Sequence, residues 1–218
     1  MCNALEKGRL DCEGAQAGVH AVLEPGLLRY DAEIERHLAG VVGREWLIGR
    51  IDTWLRADDD SRMLWLTGKP GSVNSAIASW LCRNRREIAA FHLCDANNMD
   101  KADNRRCVLS IPWQLTTQLQ EYQTRLGQMD MQSIVQQAAP VTLFDHLVAQ
   151  PLSYSFPRPD RPIVVLGDGL AEATHGGENQ LATLLAQGLA QTPRCFRVLI
   201  TSGPDPQVVH ELQSFRPE

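Results

Sequence analysis

At 218 residues, with 44% hydrophobic and 22% charged side chains, the chain fits one globular domain with a sizeable core. A formal net charge of −5 and the lack of a basic tract remove the electrostatic case for nucleic acid. Six cysteines without a C-x-x-C pair, no signal-like leader and no apolar run near the roughly 18 residues of a membrane span predict a soluble, cytoplasmic protein with reduced thiols.

Residues 1–26, with Gly8, Gly14, Gly18 and Pro25 and little periodicity, read as a loose leader ahead of a domain over 27–218. A short helix is predicted over Leu27 to Leu38. Gly43-Arg44-Glu45 opens a second, with Leu47, Ile51, Trp54 and Leu55 on one face. Asp58-Asp59-Asp60 ends it as a solvated turn. Met63 to Thr67 is apolar and suits a buried strand, and Ser75 to Arg86 then carries Ile77, Ala78, Trp80 and Leu81 at helical spacing. Residues 89–94 form a second strand, and 95–106 read as a polar loop.

Further along, a helix covers part of 106–126 with Leu115, Leu119, Tyr122 and Leu126 on one face, started or kinked by Pro112. Phe144 to Leu152 suggests a short helix, and the proline-rich stretch Pro151 to Pro162 a stiff connector. Ile163 to Leu166 runs into Gly167-Asp168 as a third strand. A helix over Leu181 to Leu189, a strand over Arg197 to Thr201 and a helix over Asp205 to Phe215 complete the order. Strands alternating with helices predict a parallel sheet covered on both faces, a three-layer α/β/α fold. Ligands in such folds sit at the carboxyl ends of the strands, here after Thr67, Leu166 and Thr201.

The loop after the first strand reads Gly68-Lys69-Pro70-Gly71-Ser72-Val73-Asn74-Ser75-Ala76. It keeps the frame of the phosphate-binding template G-x-x-x-x-G-K-[ST] at Gly68 and Ser75. Val73 stands where the second glycine belongs, and Asn74 where the lysine belongs. The glycines of that template let backbone N–H groups curl around phosphate, the lysine neutralises it and the hydroxyl holds Mg²⁺. Frame without charge implies a retained fold and weakened chemistry. Lys69 reads first as an exposed loop lysine, and second as a substitute cation.

Together, Val42-Gly43-Arg44-Glu45-Trp46-Leu47, the loop Gly68 to Ala76, Ala90 to Cys94, Ile163 to Ala173 and Leu199 to Pro204 resemble the NACHT-type branch of the STAND P-loop NTPases, especially the nephrocystin-like N-terminal domains. The resemblance implies an adenine cup at Val42, Gly43 and Arg44, and nucleotide contacts along Gly68 to Ala76. It implies Mg-ATP held through Ser75 and Asp168, with Glu172 as the group that orients a water. The departures fall on the chemistry: Val73 and Asn74 in the loop, Ala171 at the second acidic position, and Gly203 in place of an arginine. Glu172 reads equally as an exposed acid at a helix start.

The same resemblance implies that the fold lacks its last strand and its winged-helix and repeat regions. The strand 63–67 then lies on a sheet edge, which invites protein partners or self-association. Three readings follow. The first is a degenerate nucleotide-binding module with weak ATP or GTP binding, little hydrolysis and a role in protein assembly. The second is a working Mg-dependent ATPase with a non-standard loop, and the third a nucleotide-free interaction domain or a drifted gene product.

Overall fold

Four apolar runs form the strands β1 (Met63–Thr67), β2 (Ile88–Leu93), β3 (Ile163–Asp168) and β4 (Phe196–Ser202). Every residue of β3 and β4 is buried, as expected of strands covered on both faces. The computed structural model describes residues 18–38, 43–57, 61–68, 74–153, 155–174 and 178–213. The four strands pair in parallel in the order β1-β4-β3-β2. The register sets Thr67 beside Ser202 and Leu93 beside Asp168, so the carboxyl ends of the strands meet at one end of the sheet.

Alternation along the strands divides the core in two. Leu64, Val164, Leu166 and Leu199 face helices α1 (Asp31–His37), α2 (Glu45–Arg56) and α3 (Asn74–Asn84), which contribute Ile34, Ile51, Trp54, Ile77 and Leu81. Met63, Ile163, Val165, Val198 and Ile200 face the other layer. That layer comprises α4 (Asn104–Gln118), α5 (Gln120–Gly127), α6 (Met131–Gln137), α7 (Pro140–Phe144), α8 (Gln180–Gln191) and α9 (Pro206–Leu212). The fold is therefore three-layered, α/β/α.

Local chemistry explains the departures from the expected elements. Residues 18–23 are helical, and Val19 and Leu23 are buried in the core, where the sequence reads as a loose leader. The polar stretch 95–106 holds a helical turn, Met99–Ala102, and the start of α4, because Asn98 and Asp103 cap them by accepting backbone N–H groups. Pro112 neither starts nor ends a helix. It lies inside α4, fully within the core-facing run Cys107 to Pro112, so packing outweighs the ~3 kcal/mol of an interior proline. After α7 the chain winds as a single π-helical segment, Asp145–Ala149, where a plain short helix is expected.

The two sheet edges differ. Val198 N–H donates to Arg62 O at 2.9 Å and Gly68 N–H to Ser202 O at 3.2 Å. The backbone groups of Met63, Trp65 and Thr67 therefore turn to the outer side of β1, where no strand pairs among the described residues. On β2, by contrast, Gln114 acts as a mock strand. Its Oε1 accepts from Phe91 N–H at 3.0 Å and its Nε2 donates to Phe91 O at 2.9 Å, while Gln118 Nε2 donates to Ala89 O at 3.2 Å.

Candidate functional site

Asp168 ends β3 at the carboxyl end of the sheet and is 5% exposed. Its carboxylate accepts a hydrogen bond from the hydroxyl of Thr201, near the end of β4, and the hydroxyl of Ser75, in the first turn of α3, lies near enough to favour its charge. Thr201 Oγ1 also accepts from Gly169 N–H at 3.1 Å, fixing the turn that follows. Gly169 has φ = 69°, and a Cβ there would sit 3.4 Å from both Cys94 O and Glu172 Oε1. Glycine suits this left-handed turn, which aims the chain back under Asp168.

Burial pushes the Asp168 carboxyl above its ordinary range, opposed by the hydroxyls of Thr201 and Ser75 and by the nearby His37. A raised folded-state pKa means that ionisation is disfavoured in the fold, so its contribution is favourable at low pH and is lost as pH rises through the folded value. Asp168→Asn should therefore raise the melting temperature at pH 7, by about 2–4 °C for each kcal/mol of relieved desolvation. Scanning calorimetry of the two proteins checks this; an unchanged or lower value means that the carboxylate is already compensated.

Glu172 lies on the 3₁₀ turn Leu170–Ala173 and accepts from Ala96 N–H at 3.3 Å through Oε2. Burial raises its carboxyl too, with Asp95 and Asp168 adding to the effect. Glu172 is thus held close to Asp168 by the β2 loop. Gly43, at φ = 81°, precedes Arg44, whose carbonyl accepts from Leu47 and Ile48 N–H to start α2. Asn74 is the first residue of α3, followed by Ser75 and the buried Ala76. Gly68 leaves β1 beside Gly203, a Cβ on which would lie 4.0 Å from Gly68 O. Val42, Lys69, Pro70, Gly71, Ser72 and Val73 lie outside the described residues, as does the turn Asp58-Asp59-Asp60.

Two members of this cluster have no site role in the sequence reading. Thr201 lies within the stretch Leu199 to Pro204, but its hydroxyl meets Asp168 only because the register sets β4 beside β3. His37 closes α1, far away in sequence; its ring favours the Asp168 charge, and its buried Nδ1 has no hydrogen-bond partner among the described residues. Among those residues no group of three or more His, Cys, Asp or Glu is placed to hold a metal. A hydroxyl near a carboxylate nonetheless suits Mg²⁺, which binds through one or two protein oxygens when phosphates supply the rest. Asn74 and Gly203, by contrast, would offer a phosphate no cation.

Over residues 44–203 the chain matches the family described as nephrocystin 3, N-terminal. No curated protein matches it. The matched span begins at Arg44 and takes in β1 to β4, with Ser75, Asp168 and Glu172 inside it.

Proposed function

The chain belongs to the nephrocystin 3 N-terminal family, and from that premise we propose that it is a NACHT-like nucleotide-binding module with curtailed phosphate chemistry. It takes Mg-ATP or Mg-GTP weakly, hydrolyses it poorly and acts through protein assembly. The observation that carries this reading is the approach of Ser75, in the first turn of α3, to the buried Asp168 at the carboxyl end of a parallel sheet. That pair provides two oxygen ligands where a strand, a loop and a helix start converge.

What limits the site is charge. Asn74 offers an amide dipole where a lysine would offer a full charge, and Gly203 offers no side chain at all. A charge-assisted hydrogen bond contributes about 1.5–3 kcal/mol, so binding through backbone and metal alone is weak. An arginine acting on the transferred phosphate contributes on the order of 10³–10⁵ in rate, so turnover is low without one. In this reading Ser75 and Asp168 hold Mg²⁺, which would neutralise phosphate charge when bound, and Glu172 orients water. The outer edge of β1, unpaired among the described residues, favours a second reading, in which association alone is the function.

A thermal-shift titration with Mg-ATP, Mg-ADP and Mg-GTP tests the proposal, since a ligand stabilises the fold by RT ln(1 + [L]/Kd). A saturable, Mg-dependent shift at millimolar nucleotide, lost in Asp168→Ala, is expected. No shift leaves the association reading. Robust turnover that Asp168→Ala abolishes means that the protein is a working ATPase.

A further inference from the structure

A cavity lies at the end of the sheet opposite Asp168, where the amino ends of the strands meet the carboxyl end of α2. It encloses about 720 Å³ and is lined by Arg56, Arg158, Arg161, Arg194 and Arg197, against two carboxylates, Glu87 and Asp160. An adjoining cavity of about 480 Å³ shares Arg56, Glu87 and Arg161 and adds Arg85, Arg86 and Asp52. In a chain of net charge −5 this is a concentrated patch of the opposite sign.

Arg197 makes the patch more than a solvated surface. It is 6% exposed, and its guanidinium donates to the carbonyls of Trp54 and Ala57 at the end of α2. No carboxylate pairs with it among the described residues, and its Nε has no hydrogen-bond partner. Its guanidinium carbon also lies 5.4 Å from the Trp54 ring centroid. A buried cation compensated by carbonyl dipoles and a ring face, with no carboxylate, is unfavourable and is stabilised by an anion brought alongside. Arg85, in contrast, is spent: its Nε and Nη2 each donate to Asp52 at 2.9 Å. Arg56 only grazes the same carboxylate, at 4.0 Å and with its side chain 80% exposed.

The lining also states what it would take. Its cations are all arginines, which stay charged at every accessible pH and present planar forks that pair bidentately with phosphate oxygens. Pro159, Pro162 and Pro193 stiffen the rim, which lowers the entropic cost of ordering a ligand there. Among the described residues the exposed large apolar side chains, Trp46, Met99, Val141 and Val209, line neither cavity, which favours a soluble ligand over a bilayer surface. We propose that this end of the molecule binds a small soluble polyanion with clustered phosphate groups, at a site separate from Ser75 and Asp168.

Calorimetric titration of the full chain with inositol hexakisphosphate and with inorganic tripolyphosphate tests the proposal. Saturable binding is expected, weakening as salt screens it. Arg161→Glu and Arg56→Glu should each reduce affinity about tenfold or more and leave the melting temperature unmoved, both side chains being exposed. Ser75→Ala should leave binding intact. The proposal is overturned by no saturation at millimolar probe, by binding that survives both arginine variants, or by loss in Ser75→Ala, which would put the anion at the β1 loop. Binding to vesicles containing a phosphoinositide without binding to the soluble probes overturns it as well.

Discussion

Val73→Gly combined with Asn74→Lys should tighten Mg-ATP binding by about tenfold to a hundredfold or more. Asn74 opens α3 directly after the loop, where a lysine amine would meet phosphate and the helix dipole already favours negative charge. Glycine at 73 removes a β-branched side chain from a position where the template requires conformational freedom. Calorimetry on the wild type and the double variant measures the change. Turnover should stay low in both, since Gly203 still supplies no cation. Equal affinity in the two proteins would mean that this loop does not cradle phosphate, whatever its charge.

Acidification should destabilise the protein by about 3 kcal/mol between pH 6.5 and 4 through His92 alone. His92 is 2% exposed on β2, and burial lowers its pKa from 6.5 to about 4. Its Nε2 donates to Lys101 O at 2.8 Å, so Nδ1 is left to accept from Tyr30 O–H at 2.9 Å. The Lys101 ammonium, itself paired with Glu33 and lying 5.4 Å from the Tyr30 ring centroid, further opposes a charge on the imidazole. The folded pKa lies below the unfolded one. The stabilisation is therefore complete above pH 6.5 and declines as pH falls, because the unfolded chain takes up a proton that the fold refuses. Urea unfolding at several pH values, compared between wild type and His92→Gln, isolates the effect; parallel profiles would show that His92 is not its source.

The strands were the most legible part of the chain, because each is a short apolar run bounded by polar residues, and a doubly covered strand needs no alternation to be recognised. Helices with a clear stripe were found to within a few residues, as with Glu45–Arg56 and Asn74–Asn84. Pro112 lies inside α4 rather than starting it, because the core contacts around Val108 and Ile111, both fully buried, outweigh its local penalty. The carbonyl-capping arginines were invisible for a similar reason. Arg62 reaches Thr192 O, and Arg197 the end of α2, more than a hundred residues away in sequence. Of the site, Ser75, Asp168 and Glu172 are legible from motif spacing; Thr201 lies in a motif stretch but takes its place beside Asp168 through sheet register, and His37 joins through tertiary packing.

The unequal edges set an arithmetic for assembly. With β2 masked by Gln114 and Gln118, the described residues leave the sheet one socket. Two copies joined β1 to β1 across a two-fold axis must run antiparallel and form a continuous eight-stranded sheet, twice the four strands of one copy. Both outer ends of that sheet are then masked β2 strands, with nothing left to offer a third molecule. Growth through the sheet stops at a pair, and a foreign strand seated on β1 forecloses even that, so pairing and partner capture compete for one position. Filaments by this route require Gln114 to let go first.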